Sequence, residues 1–180
     1  RFIRKTDTEK YYLVGSQYVI SEHLSEFAYI CNQKSGGLVL ERLEAIYDFI
    51  LIDEAQDLAG YDFNVVELFL KSKISVQLVA DSRQATYFTN NSNKNIKFKG
   101  ENIIDLFRYW EGEQLCQIEE RSQCYRANQA ICDFADQLYP SLTKTESRNV
   151  KQTGHDGVFL IPSSIVSRYV DQYSPTVLRD

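Results

Sequence analysis

The stretch FILIDEAQD, residues 49–57, decides the fold class of this chain. Four apolar residues run directly into a group of acidic and amide side chains, Asp53, Glu54, Gln56 and Asp57. A short apolar run bounded by polar residues is typical of a buried strand in a parallel sheet. Ligands of open parallel sheets bind at the carboxyl ends of the strands. The stretch therefore predicts a strand that positions carboxylates at a binding edge.

The rest of the chain alternates between strand-like and helix-like segments. The predicted strands are FILI at 49–52, VQLVA at 76–80, QLCQI at 114–118, VFLI at 158–161 and TVL at 176–178. The predicted helices are SEHLSEFAYICNQ from 21, LVLERLEAIYD from 38, FNVVELFLKS from 63, ENIIDLFRYW from 101, NQAICDFADQLY from 128 and SIVSRYVDQY from 164. Strands that alternate with helices of this length indicate an α/β fold, a parallel sheet flanked by helices.

Composition and charge exclude several classes of protein. The net charge of −5 over 180 residues argues against a uniformly basic protein that coats nucleic acid, although it permits a local basic track. The four cysteines form no C-x-x-C pair and the two histidines lie far apart, so a structural zinc site is not expected. Reduced thiols, the absence of a long apolar run and the absence of a signal peptide predict a cytoplasmic location without a membrane segment.

A second predicted strand brings further polar groups to the same edge. VQLVA is followed by Asp81 and, three residues later, by Gln84. This set suits phosphoryl transfer from a magnesium nucleotide, in which one carboxylate holds Mg²⁺ through water and a second orients the attacking water. An amide after the next strand can sense the terminal phosphate. Arg126, which precedes a predicted helix, can offset charge in the transition state.

Three motifs in this order resemble superfamily 1 helicases of the UvrD/Rep type. They are DEAQD at 53–57, ADSRQATY at 80–87 and YRANQAI at 125–131, which resemble motifs II, III and IV of that family. The resemblance spans about residues 48 to 138. It implies a RecA-like P-loop NTPase motor domain, ATP and Mg²⁺ as cofactors, and DNA as the partner. The implied activity is an ATP-dependent DNA helicase or translocase that moves 3′ to 5′ on single-stranded DNA.

The resemblance also implies a nucleotide-contacting set: Asp53, Glu54, Gln56, Asp57, Gln84 and Arg126. Asp53 would bind Mg²⁺, and Glu54 would be the catalytic base. Gln84 and Arg126 would contact the γ-phosphate. The other two residues of the set would connect the nucleotide site with neighbouring motifs.

A second set is expected to contact nucleic acid: Tyr87, Phe88, Lys94 and Lys97, with Lys99 in the same loop. The resemblance implies the role of Tyr87, and the mix of aromatic and basic residues predicts that of the lysines. Tyr87 would lie near the bases of single-stranded DNA. The family often has an aromatic residue two positions further on, where this chain has Thr89, so Phe88 is expected to take that stacking role. The lysines that follow would track phosphates. The alternative is that both aromatic residues are ordinary core or surface groups and that the lysines belong to a solvated loop.

The chain departs from the family pattern at several places. The phosphate-binding pattern G-x-x-x-x-G-K-[ST] is absent, since QKSGGL at 33–38 lacks its spacing. The chain begins at Arg1 and contains no Met, so we expect a piece of a longer protein whose phosphate loop lies upstream. Motif III has Ala80 where Gly is usual, and motif IV has Cys124 where Asn is usual.

The expected domain organisation follows from these motifs. Residues 1–47 would belong to the upstream part of the first motor domain or to a subdomain inserted in it, and residues 48–140 would be the core of RecA-like domain 1. The polar segment 141–156 is a predicted linker, and 157–180 would begin a second RecA-like domain.

Two other functions remain open at the level of the sequence. The first is a helicase-like binding or regulatory module that has lost catalysis. The second is a metal-dependent nuclease that would use Asp53, Glu54, Asp57 and Asp81 as a two-metal cluster. Arg126 also has a structural alternative, a salt bridge to the acidic residues at 119 and 120.

Overall fold

A computed structural model describes residues 5–15, 17–151 and 153–176. These residues form two compact units, the first ending at Glu119 and the second beginning at Glu120. The domain boundaries expected near residues 47, 140 and 156 stay predictions.

The first unit contains five helices and four strands among its described residues. In chain order they are α1 (Thr8–Tyr12), β1 (Leu13–Val14), β2 (Tyr18–Val19), α2 (Leu24–Lys34), α3 (Leu38–Glu44), β3 (Phe49–Ile52), α4 (Asp62–Leu70), β4 (Ser75–Leu78) and α5 (Ile103–Gly112). Short 3₁₀ turns lie at Ser21–His23, Ala55–Asp57, Ser82–Gln84, Ile96–Phe98 and Gly100–Asn102. Strands β1 and β2 pair as an antiparallel hairpin.

Strands β3 and β4 form the parallel pair that positions the predicted site. Their register pairs Phe49 with Ser75 and Ile52 with Leu78. The hydrogen-bond ladder extends past the strands, because Val79 N donates to Ile52 O at 2.8 Å and Ala55 N donates to Val79 O at 2.9 Å. Helix α4 lies between the two strands in the chain, as a parallel connection requires. Both strands therefore end at the same edge, as predicted.

Helices α4 and α5 supply most of the hydrophobic core of this unit. The buried cluster consists of Ala55, Phe63, Val66, Ile103, Leu106 and Trp110. Ile52 and Leu78 pack against it from the strands. The prediction that FILI is a strand of a parallel pair is confirmed, but the prediction that it is buried is wrong for Phe49 and Leu51, which are exposed. Successive strand residues point to opposite faces, and only the face carrying Ile52 meets the core.

The second unit is a smaller α/β arrangement. Its elements are β5 (Gln123–Cys124), α6 (Gln129–Leu138), β6 (Glu146–Ser147) and α7 (Val166–Tyr173), with a 3₁₀ turn at Ser163–Ile165. Strands β5 and β6 pair in parallel, and α6 connects them along the chain. Asn128 caps α6, since its side-chain oxygen accepts a hydrogen bond from Ile131 N at 3.2 Å.

Two predicted strands are not strands. After α5 the chain reverses at Gln114, which has a φ of 59°. Leu115 N then donates to Trp110 O at 2.9 Å, so QLCQI turns back onto α5 instead of pairing with β4. VFLI at 158–161 is also irregular, and Phe159 stacks on His155 with a centroid distance of 4.2 Å. The predicted strand TVL lies largely outside the described residues.

The α/β class is confirmed at the level of small parallel pairs with helices around them. Among the described residues, no helix combines the length and the apolar character that a membrane span requires.

Candidate functional site

The carboxylates after β3 lie on a sharp turn. Asp53 and Glu54 are both exposed, and Asp53 Oδ1 accepts a hydrogen bond from Glu54 N at 2.9 Å. Glu54 has a left-handed backbone conformation, with φ 51° and ψ 41°. A side chain with a Cβ is unfavourable in this region, and such strain concentrates at functional sites. The 3₁₀ turn that follows holds Glu54 in place, because its carbonyl accepts from Asp57 N at 2.9 Å.

Gln56 connects the end of β3 with the end of β4. Its side chain is only 2% exposed. Gln56 Oε1 accepts from the backbone N–H of Asp81 at 3.0 Å, and Gln56 Nε2 donates to Glu54 Oε2 at 2.5 Å. Since a backbone N–H can only donate, the amide group has one possible orientation, with its NH₂ facing the carboxylate. A buried amide thus joins motif II to the first acidic residue of motif III.

Asp81 is held by two side chains of its own 3₁₀ turn. Its carboxylate accepts from Arg83 Nε at 2.9 Å, from Arg83 Nη2 at 3.1 Å and from Gln84 Nε2 at 2.9 Å. Burial raises the pKa of Asp81, but the hydrogen bonds from Arg83 and Gln84 outweigh burial and hold this pKa below its ordinary value. Asp81 is therefore a charged group at neutral pH.

The structure thus brings together residues that are far apart in the sequence. A continuous series of hydrogen bonds runs from Glu54 through Gln56 to Asp81 and on to Gln84. The adjacent Asp57 forms a separate backbone contact with the segment after motif III: its carbonyl accepts a hydrogen bond from Thr89 N at 2.9 Å. Motif II therefore contacts the start of the motif III segment and Thr89, two residues past its end. The sequence showed which residues reach this edge, but not that Asp81 is the group that Gln84 contacts.

Tyr87 lies on a cleft of the first unit. Its side chain is 70% exposed. The cleft has a volume of about 440 Å³ and is lined by Ser21, Glu22, Thr86, Tyr87, Phe88, Thr89, Asn90 and Asn91. One side of it is the start of the α2 region and the other is the segment after motif III. This is an open polar groove with two aromatic rings, which suits an extended ligand with flat groups.

The other predicted nucleic-acid residues each take part in a contact between a lysine and an aromatic ring. Phe88 is half-buried, and Lys99, the third lysine of the predicted basic loop, places its Nζ 4.1 Å from the centroid of the Phe88 ring. Lys97 Nζ lies 4.5 Å from the Phe98 centroid. Lys94 Nζ lies 5.6 Å from the centroid of Tyr61. These cation–π contacts order the basic loop without removing its charge from solvent. The nucleic-acid roles of these residues stay predictions.

Arg126 belongs to the second unit and follows β5. Its side chain is exposed, and its backbone carbonyl accepts from Asn149 Nδ2 at 2.7 Å. Within the described part of its own unit, no carboxylate forms an ion pair with the Arg126 guanidinium. The alternative of a salt bridge to Glu120 therefore has no support. Contact between Arg126 and a nucleotide stays a prediction.

Cys124, directly before the YRANQAI segment, has a defined environment. Its sulfur accepts a hydrogen bond from Ala127 N at 3.3 Å. This backbone donor is the largest cause of the lowered pKa of the Cys124 thiol, and Arg126 and Cys132 add to it. Burial raises the pKa of the Cys132 thiol, and so does its interaction with Cys124. The thiol thus serves as an acceptor for the turn that begins α6.

The described residues fit a magnesium nucleotide better than a two-metal cluster. Nowhere in residues 5–15, 17–151 and 153–176 do three Asp, Glu, His or Cys side chains group so as to hold a metal ion. Mg²⁺ bound with a nucleotide takes most of its ligands from phosphates and water, so that one or two carboxylates suffice. Asp53 is exposed at the strand end and suits that role. Asp81, which a nuclease cluster would need, has its oxygens engaged by Arg83 and Gln84.

Comparison with known proteins gives one match. Residues 20–102 match the family model of the UvrD/REP helicase N-terminal domain. The matched segment includes DEAQD and ADSRQATY and ends before YRANQAI. No curated protein matches the chain. The resemblance to helicases of the UvrD/Rep type is therefore confirmed over residues 20–102, which are similar to the N-terminal domain of that family.

Proposed function

We propose that this chain acts in an ATP-dependent DNA helicase or translocase of the UvrD/Rep type, with a RecA-like P-loop NTPase motor that moves on single-stranded DNA. The observation that carries the proposal is the buried Gln56, which joins Glu54 to Asp81. A motor must transmit the state of the nucleotide site to the DNA site. Gln56 makes that connection between the two motifs assigned to these sites.

Glu54 is proposed as the general base. One of its carboxylate oxygens, Oε2, is occupied by the Gln56 amide. The other oxygen, Oε1, has no hydrogen bond to a described residue and is available to accept a proton from the attacking water. Asp53, adjacent and exposed, would hold Mg²⁺ through water. When bound, Mg²⁺ supplies positive charge that neutralises the phosphate oxygens.

Gln84 is proposed as the sensor of the γ-phosphate. Its amide donates to Asp81 in this structure, and it is exposed and free to turn toward a phosphate. A turn of this kind would remove one hydrogen bond from the Asp81 carboxylate. Asp81 also donates its N–H to Gln56, and it directly precedes the Ser82–Gln84 turn. A movement of Gln84 toward the phosphate would therefore alter this turn, which precedes Tyr87.

Arg126 is proposed to stabilise the charge that develops on the γ-phosphate in the transition state. Its exposed guanidinium, which has no ion pair within the described part of its unit, supports this role. An arginine in this role contributes roughly 10³ to 10⁵ in rate in known phosphoryl-transfer enzymes.

Single-stranded DNA is proposed to bind at the cleft that Tyr87 lines, with Phe88 at its side and Lys94 and Lys97 in the basic loop beyond. Exposed aromatic rings beside basic residues are typical of surfaces that bind single strands, where stacking contributes about 1–3 kcal/mol per base. The most exposed ring, Tyr87, is the expected stacking partner.

ATP hydrolysis by the full-length protein, with and without single-stranded DNA, tests this proposal. We expect DNA to stimulate turnover, and we expect Glu54→Gln to reduce it by orders of magnitude while nucleotide binding is retained. Gln77→Glu, an exposed change on β4, is the control and should leave turnover unchanged. Retained DNA binding without hydrolysis would favour the binding module, and Mn²⁺-dependent DNA cleavage without ATP would favour the nuclease.

A further inference from the structure

Asp62, the first residue of α4, is a buried carboxylate that lies outside the helicase motifs. It is 9% exposed. Its Oδ1 accepts a hydrogen bond from the Ser25 hydroxyl. Its Oδ2 accepts from Ala59 N at 3.0 Å, from Asn90 Nδ2 at 3.2 Å and from the Thr89 hydroxyl. Burial of a carboxylate is costly unless its oxygens are hydrogen-bonded, and four donors meet that requirement here.

The donors come from both sides of the cleft that Tyr87 lines. Ser25 is in the first turn of α2, directly after the Ser21–His23 turn that forms one side. Thr89 and Asn90 belong to the other side, the segment after motif III. Asp62 therefore contacts both walls, one through each carboxylate oxygen.

The wall that carries Tyr87 has other supports besides Asp62, among them Lys99, whose Nζ donates to Asn90 O at 3.3 Å. Asn90 is buried and donates to Ala59 O at 2.9 Å, while its Oδ1 accepts from Ser92 N at 3.0 Å. Thr89 N donates to Asp57 O. Except for the bond from Ser92, these contacts reach the segment between the end of motif II and the start of α4, where Asp62 supplies a carboxylate acceptor. Hydrogen bonds to a charged acceptor are roughly twice as strong as neutral ones.

We propose that Asp62 is a positioning residue that fixes the separation of the two cleft walls, and thereby the position at which Tyr87 meets single-stranded DNA. This inference rests on the proposed function. Asp62 does not contact DNA, and it acts through Ser25 on one wall and through Thr89 and Asn90 on the other. Thr89, which stands where the family often has an aromatic residue, thus serves as a contact of the wall and not as a stacking group.

Two measurements test this inference, both on the full-length protein. The first is hydrogen exchange of the backbone amides of residues 86–91 in wild type and in Asp62→Ala, without DNA. The second is the concentration of an oligothymidylate that half-saturates binding, measured by fluorescence anisotropy. Asp62→Ala removes all four hydrogen bonds. Ser25→Ala removes the bond on the α2 side, and Thr89→Val removes one of the two side-chain bonds on the other side, where Asn90 still donates to Asp62. Val66→Ala, a core change one turn further along α4, is the control for loss of stability.

We expect faster exchange of residues 86–91 in Asp62→Ala and in Thr89→Val. We expect the half-saturating concentration to rise about threefold to tenfold in each single-wall variant and by about tenfold or more in Asp62→Ala, since a hydrogen bond contributes about 0.5–1.5 kcal/mol. DNA-free ATP turnover should not change in Asp62→Ala or in Ser25→Ala. Val66→Ala should lower the unfolding temperature and leave the half-saturating concentration as in wild type.

Each outcome decides one part of the inference. Unchanged exchange in Asp62→Ala and Thr89→Val would show that Asp62 does not hold the wall. Faster exchange with unchanged oligonucleotide affinity would show that the wall position does not set DNA binding, and equal loss of affinity in Val66→Ala would reduce the role of Asp62 to stability. If wild type fails to bind the oligonucleotide, the proposed function fails, and the exchange measurement still decides whether Asp62 holds the wall.

Discussion

Replacement of Gln56 by leucine tests whether the connection between the two strand ends stabilises the first unit. Gln56→Leu preserves side-chain size and removes both hydrogen bonds of the buried amide. The bond to the Glu54 carboxylate has a charged acceptor and is expected to contribute about 1.5–3 kcal/mol. The bond from Asp81 N is neutral and is expected to contribute about 0.5–1.5 kcal/mol. The sum predicts a loss of about 2–4.5 kcal/mol in the free energy of unfolding, less the gain from burying an apolar side chain.

Trp110 makes this loss measurable. It is the only tryptophan in the chain and is 1% exposed in the core of the first unit, so its fluorescence reports the unfolding of that unit. Urea titrations of wild type and Gln56→Leu should give different midpoints. The matched control is Gln77→Leu, the same change at an exposed position on β4, for which a change within about 0.5 kcal/mol is expected. A loss in Gln56→Leu no larger than in the control would refute the reasoning.

Two further predictions concern the same unit. Gly60→Ala should lower its stability by more than about 1 kcal/mol in the same titration, because Gly60 has a φ of +59° and an added Cβ would lie 2.7 Å from Asn90 Oδ1. Gly112→Ala, where an added Cβ meets nothing within 4 Å, should be neutral or stabilising, and equal effects would contradict the prediction. Asp81 has a lowered pKa in the folded state, so its contribution is present above its unfolded pKa of about 3.9 and is lost as pH falls through the folded value. Unfolding titrations between pH 7 and 3 should therefore show a smaller acid-induced loss in Asp81→Asn than in wild type, and identical slopes would contradict this sign.

The parts of the fold that depend on local pattern were predictable. FILI and VQLVA form the parallel pair because short apolar runs with a helix between them have few other solutions. Because neighbouring parallel strands have their carboxyl ends at the same edge of the sheet, Asp53, Glu54 and Gln84 were expected at one edge. QLCQI has the same composition as a strand, but the reversal at Gln114 turns it back onto α5.

The contacts inside the site were not predictable, because they depend on tertiary geometry. The sequence indicates that Gln56 lies near the nucleotide site. Its hydrogen bonds to both Glu54 and Asp81 depend on backbone hydrogen bonds that continue past the ends of β3 and β4. Asp62 lies outside the recognised motifs, and its partner Ser25 is 37 residues away. The contact of Lys99 with Phe88 depends on the turn at Gly100, which no short-range pattern specifies.

The left-handed backbone of Glu54 brings selection for stability into conflict with selection for activity. A chain selected for folding alone would place glycine or asparagine at this turn, since both tolerate a positive φ at lower cost. A carboxylate persists there in spite of the conformational penalty. Engineering for heat resistance at this position would therefore favour variants that lack the proposed base. A gain in thermal stability and a loss of turnover would then result from the same substitution.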